Sequence, residues 1–509
     1  MKTKDSLYQL VHSLSKTEKR YFKVYSTRHI IGEENNYIVL FDLLDEMRAF
    51  DAELLRQRLA QAGIGGNHSA LKAYLYKLIL KAMRAFHAER SSRIRLRDLL
   101  TDAEFLIERG LYSQADDLLQ KAKEDAQARG SLLGLLEIVE LSSQRIMSQE
   151  TVQLPERVDA VFAERGQIQA ALKMEGLVAK TYLQVLARHR KHGHLLHEPQ
   201  RSEVIALAES LAAAIDPARL TPLARTRYAH IRMLHAECLG DPQQVLAASR
   251  AHVAAWEEAG WLAAESPTHY RRALANLLAA LFKADQITAF PEVLARLKSI
   301  PAAHHDDEAE TFQNAAFYEF LYHLNRAALG EAARLVPGIK AGLDRYESKI
   351  SKSREISFRF NICLLYFFMG QWSDALKWLN RLRDERPSEQ RLDVQAVLRI
   401  FELILHYELD HLDLLENKLR AARRHFKQHP PGGTLIAAVL DFFAQLLKAP
   451  DPKALRSLMT ALHTRLNASA HKGLEPGILE CSLWLSYHLQ GPSMPAVLQD
   501  FVARGQGAG

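Results

Sequence analysis

The chain has 509 residues, 48% apolar and 25% charged, enough material for a large folded body, and its formal net charge is +6. Glycine and proline total only 24 and 17 residues, which excludes a collagenous or low-complexity chain. Three cysteines, Cys238, Cys363 and Cys481, lie far apart in apolar helical patterns, so neither a disulfide framework nor a cysteine zinc site is expected. The chain start is polar and amphipathic. The apolar runs at Ile362–Met369 and Leu435–Leu447 are too short, or too interrupted by Asp441 and Gln445, to span a bilayer, so the expectation is a cytoplasmic protein.

Taken in chain order, the first helical signal is a capping box, Ser15-Lys16-Thr17-Glu18, before a helix carrying Tyr21, Phe22 and Val24. A short helix over Asp51–Ala60 and a glycine turn, Gly63-Ile64-Gly65-Gly66, lead into a longer helix from Asn67 to about Arg90. Its core spacing is Leu71, Leu75, Leu78, Ala82 and Phe86, with Tyr74, Ile79 and Met83 widening the apolar arc. Lys77, Lys81 and Arg84, at i, i+4 and i+7, share the remaining strip and must face water or an anionic partner. Residues 1–97 hold 18 Lys+Arg against 10 Asp+Glu, so the whole basic excess sits in this first stretch. It is read as a basic N-terminal helical domain, 1–97. Its three-cation strip is the candidate anion-binding face, and nucleic acid is the alternative partner.

Helical signals then recur about every twenty residues, and no stretch alternates like a strand, so roughly two dozen helices and no sheet are predicted. Breaks fall at Pro155, at His192–Pro199, at Pro301–Asp307 and at Pro430–Gly433, none long enough to be a linker between independent domains. Residues 505–509 read as a tail. The run Arg188-His189-Arg190-Lys191-His192-Gly193-His194 with His197 is rich in imidazoles, but its neighbours are cations and it is read as a basic helix end and loop rather than a metal site. His304-His305-Asp306-Asp307 is read as a loop followed by an acidic helix start. No phosphate-binding glycine loop, metalloprotease helix or nucleophile elbow is present, so no catalytic residue, metal or cofactor is expected.

Two stretches carry one 34-residue pattern. In 96–129, Ala103 and Leu106 precede Gly110, and Tyr112, Ala115, Leu119 and Ala122 follow it. In 356–389, Cys363 and Tyr366 precede Gly370, Trp372, Ala375, Leu379 and Leu382 follow at the same offsets, and Pro387 closes the unit. Small residues let two helices approach, glycine makes the turn and aromatics fill the space between. This pattern resembles the tetratricopeptide repeat. The resemblance implies an all-α, right-handed α-solenoid of antiparallel helix pairs over 98–504, with divergent pairs such as Arg272–Lys283 with Ile287–Lys298 and Phe312–Arg326 with Gly330–Glu347. It further implies a non-enzymatic scaffold whose groove is lined by the first helix of each pair. Those positions are Arg97, Leu100, Glu104 and Ile107 in the first repeat, and Ser357, Phe360, Leu364 and Phe367 in the second. The apolar trio Phe360, Leu364 and Phe367 is the candidate protein-binding groove, suited to a peptide or helix, unless neighbouring helices cover it.

Overall fold

The computed structural model describes residues 5–27, 36–87, 92–146, 154–192, 198–302, 305–384, 392–428, 435–449, 451–468 and 477–506. Among them are twenty-five α-helices and no strand. The chain divides into two compact units, 1–286 with 299–307, and 287–298 with 308–509.

The first unit begins with α1 (Ser6–Ser13), α2 (Lys16–Thr27), α3 (Asn36–Glu46), α4 (Ala52–Gln61) and α5 (His68–His87). These five share a core in which Phe22 and Phe41 meet at 4.6 Å, with Leu40, Leu44, Leu75 and Ile79 fully buried around them. The capping box forms as its residues dictate. Glu18 N–H donates to Ser15 Oγ at 3.3 Å and Ser15 N–H donates to the Glu18 carboxylate at 2.7 Å, so two otherwise orphaned amides are satisfied. The same carboxylate reaches His87 at 2.8 Å, tying the start of α2 to the end of α5. Burial works to raise the Glu18 pKa, but the Ser15 amide, the Ser15 hydroxyl and His87 together hold it below the usual carboxylate range.

The unit continues with α6 (Ser92–Glu108), α7 (Tyr112–Arg129), α8 (Leu132–Ile146), α9 (Leu154–His192), α10 (Glu198–Ala214), α11 (Pro222–Leu239), α12 (Pro242–Glu257), α13 (Gly260–Glu265) and α14 (Pro267–Lys283). The pairs α6 with α7 and α11 with α12 pack on each other across short turns, as do α12 and α14 across the short α13. Arg271 of α14 is fully buried. Its guanidinium meets the Asp307 carboxylate at 3.2 Å and the Pro301 carbonyl at 3.2 Å, and Thr268 Oγ donates to the same carboxylate at 2.8 Å. Asp307 lies in the first turn of α16, the acidic helix start that the sequence predicts. It is 2% exposed, because a buried guanidinium requires a counter-charge.

The second unit holds α15 (Phe290–Ser299), α16 (His305–Asn325), α17 (Leu329–Arg345), α18 (Lys352–Phe368), α19 (Trp372–Asp384), α20 (Leu392–Glu408), α21 (Leu412–Gln428), α22 (Leu435–Leu446), α23 (Pro452–Ala468), α24 (Ile478–Gln490) and α25 (Met494–Gln506), the first few residues of α16 lying in the first unit. One continuous core runs through it from Ala309 to Leu498. Close approach is visible where α17 meets α16: a Cβ on Gly342 would stand 2.1 Å from the Phe312 ring, so only glycine fits. Cys363 is fully buried, its Sγ 3.4 Å from the Ala375 carbonyl, and burial pushes its thiol up to about 12, which makes it a packing residue rather than a nucleophile.

The turns explain the recurrence. Gly110 has φ 72° and Gly370 φ 68°, the left-handed conformation that glycine adopts without penalty. In each, the turn residue's N–H reaches the carbonyl three residues back, and the next N–H reaches five back, Leu111 to Leu106 at 2.9 Å and Gln371 to Tyr366 at 2.9 Å. The same two bonds close the turns at Asp285, Ala327 and Asp410, whose φ values are 55°, 53° and 57°. The same turn therefore follows α14, joins α16 to α17 and joins α20 to α21, without glycine. The space around both turn glycines is open. Their requirement is the backbone angle, not a tight contact.

Candidate binding surfaces

The apolar stripe of α18 is covered in this structure. Phe367 is fully buried and stacks on Phe401 of α20 at 4.6 Å with planes 8° apart; Leu364 is 8% exposed, and half-buried Phe360 stacks on the same Phe401 ring at 6.4 Å. Of the two readings that the sequence left open for Phe360, Leu364 and Phe367, a partner-binding groove or a stripe covered by neighbouring helices, the structure has the covered one: Phe401 of α20 lies on the stripe, and α25 also packs on α18. Of the corresponding positions on α6, Leu100 is buried, Ile107 half-buried, and Arg97 and Glu104 are exposed.

On α5 the arrangement is the reverse. Its inner face, Leu75, Ile79 and Ala82, is fully buried, while Ala73, Tyr76, Lys77, Leu80, Lys81 and Arg84 all point outward. Tyr76 is 37% and Leu80 42% exposed, so two large apolar groups lie among the three predicted cations. Among the described residues, Lys77, Lys81 and Arg84 have no ion-pair partner. Other cations of the same module do: Lys19 with Asp45 at 2.5 Å, Lys23 with Asp42 at 2.7 Å, Arg58 with Glu46 at 3.6 Å and Lys72 with Asp5 at 2.8 Å. Burial works to raise the Asp5 carboxyl, but its bonds from Lys72, Tyr8 N–H and Leu7 N–H hold it below the ordinary range, so this end of α5 is neutralised. Sequence reasoning found the three cations. It did not single out Tyr76 and Leu80, because period alone assigns neither to a face without knowing which side α2 and α3 cover.

A recess of about 600 Å³ lies between α23, α24 and α25, with Leu466, Leu483, Val497 and Phe501 among its lining. There Ser486 Oγ lies 2.7 Å from His463 Nε2, the spacing of a nucleophile and its base. The hydroxyl also lies 3.0 Å from the Ser482 carbonyl one turn back, the bond that a helical serine commonly makes to its own backbone. Burial lowers the His463 pKa, keeping the ring neutral there.

The histidine run is described only in part. Arg188 on α9 pairs with Glu203 at 2.6 Å, while Gly193, His194 and His197 lie outside the described residues, as does His304. Among the described residues no group of three or more His, Cys, Asp or Glu side chains is placed to hold a metal ion, and no helix is long and apolar enough to cross a membrane. Among the described residues the secondary structure is all-helical, built largely of helices packed on their chain neighbours. Compared with protein-family models, curated proteins and solved structures, the chain shows no match.

Proposed function

We propose that this chain is a non-enzymatic protein-interaction scaffold, an α-solenoid of tetratricopeptide-like helix pairs, that binds an acidic amphipathic helix of a partner protein on the outward face of α5. The observation that carries this reading is the exposed, unpaired set Tyr76, Lys77, Leu80, Lys81 and Arg84 on one helix face. An apolar stripe flanked by cations complements a helix with an apolar stripe flanked by carboxylates. Apolar burial would supply affinity, and the charges would set register and association rate. The recurrence of one turn geometry at Gly110, Asp285, Ala327, Gly370 and Asp410 supports the solenoid reading, since stacked pairs need a repeated connection.

The test is a panel of labelled amphipathic helical peptides, acidic, neutral and basic on the polar face, titrated against the full chain by fluorescence anisotropy. Acidic peptides should bind, and both Tyr76→Ala with Leu80→Ala and the triple reversal Lys77→Glu, Lys81→Glu, Arg84→Glu should abolish binding with the melting temperature unchanged. Binding of mixed oligonucleotides with a steep fall in log affinity against log salt, untouched by the Tyr76→Ala, Leu80→Ala change, would replace this reading with nucleic-acid binding.

A further inference from the structure

The second unit carries a different cationic surface, on α21. This helix buries Leu415, Leu419, Ala422 and Phe426 and turns Asn417, Arg420, Arg423, Arg424 and Lys427 to solvent. The four cations stand at i, i+3, i+4 and i+7, a pattern that sets them on one face over about 10 Å, at about 1.5 Å per residue. Asn417, Arg420, Arg423 and Arg424 line a shallow concavity of about 550 Å³.

Their partners differ. Arg423 is held by the exposed Asp441 of α22 at 2.9 Å, and Arg420 turns to the Asn417 side-chain oxygen at 2.6 Å, a neutral group. Among the described residues Arg424 and Lys427 have no ion-pair partner, and the acids on the same helix, Asp413 and Glu416, stand towards its N-terminal end. Elsewhere on this helix the charge is satisfied: Lys418 meets the buried Glu402 at 2.5 Å, which Arg383 also meets at 2.8 Å.

We propose that this face of α21 is a binding site for a phosphorylated peptide segment. Three features select that ligand. Guanidinium forks match phosphate oxygens in pairs, and three arginines within five residues can surround one dianionic phosphoryl group. No apolar side chain is exposed between Glu416 and Gln428, in contrast with α5, so an amphipathic helix would find no apolar stripe here. No aromatic side chain is exposed there either, which removes the stacking platform that single-stranded nucleic acid uses, and a 10 Å strip is short for following a duplex backbone.

The experiment is an array of phosphoserine and phosphothreonine peptides, each beside its unphosphorylated twin, probed with the full-length protein, followed by titration of the strongest pair. The phosphorylated member should bind at least about tenfold tighter than its twin, and millimolar inorganic phosphate should displace it. Arg420→Gln with Arg424→Gln should remove that preference at an unchanged melting temperature, since both side chains are exposed. Arg420→Lys with Arg424→Lys, which keeps charge but loses the fork, should lose several-fold. The reversal on α5 should leave the preference intact, which separates this site from the one proposed above. Equal affinity for the two twins, or retention of oligonucleotides but of no phosphopeptide, overturns the proposal.

Discussion

The pairs α6–α7 and α18–α19 carry the same pattern and fold to the same turn, yet their first helices end in different surroundings. Ala103, Ala115, Leu119 and Ala122 of one, and Cys363, Ala375, Leu379 and Leu382 of the other, are all buried. The opposite side of α6 leaves Arg97 and Glu104 in water and Phe105 52% exposed, whereas that of α18 is roofed by Phe401. A repeat motif therefore specifies the inside of a pair. What lies on its outer face is decided by the neighbouring helix, which the motif does not encode.

Truncation should separate the two pairs most strongly on that outer face. Phe367→Ala removes a fully buried ring from a stacked contact and should cost about 3–5 kcal/mol, whereas Ile107→Ala at the equivalent half-buried position should cost less than half as much. Urea unfolding with peptide-resolved hydrogen exchange across each pair measures both; equal losses would mean that α20 does not cover α18.

Inside the pairs the two should behave alike. Ala115→Trp and Ala375→Trp each force an indole into a fully buried alanine position and should both destabilise by about 1–3 kcal/mol or more. A melting temperature lowered by only one of them would break the equivalence drawn here.

At the turns the expected effect is smaller and has an angular cause. Gly110→Ala and Gly370→Ala should each cost about 1 kcal/mol through the positive φ alone, since a Cβ meets nothing closer than 3.9 Å at Gly370 and nothing within 4 Å at Gly110. The opposite change, Ala327→Gly, should shift stability by less than about 1 kcal/mol, the relief of the positive φ being offset by the lost buried methyl and the looser unfolded chain. The smallest effect belongs to Lys377→Gln at an exposed position of α19, which loses one surface ion pair with Asp374 and should stay within about 0.5 kcal/mol.

These contrasts show where reading the letters succeeds. Helix identity, the capping box at Ser15, the buried cysteines and the Gly110 and Gly370 turns all follow from local rules, and each is present. The turns at Asp285, Ala327 and Asp410 were invisible because the left-handed residue is not glycine, and the pairs around them read only as alternating helices. Which cations of the first ninety residues are free was equally hidden: Lys72 is neutralised by Asp5 across 67 positions, and nothing local distinguishes it from Lys77. The cover on Phe367 comes from Phe401, 34 residues on, so spacing within α18 could mark the stripe as apolar but not say what lies over it.

Arg271 and Asp307 carry a consequence for how this chain can change over time. They are 36 positions apart, and both are almost wholly removed from water. Losing either partner strands a buried charge at a cost of about 3–5 kcal/mol, a large share of what holds an ordinary domain together, while replacing both with apolar residues of similar volume is close to neutral. The two sites form an evolutionary valley with high ground on each side. Lineages descending from a common ancestor of this chain should keep arginine and aspartate together or exchange them together. Thr268, whose hydroxyl donates to the same carboxylate, should drift only after Asp307 has gone.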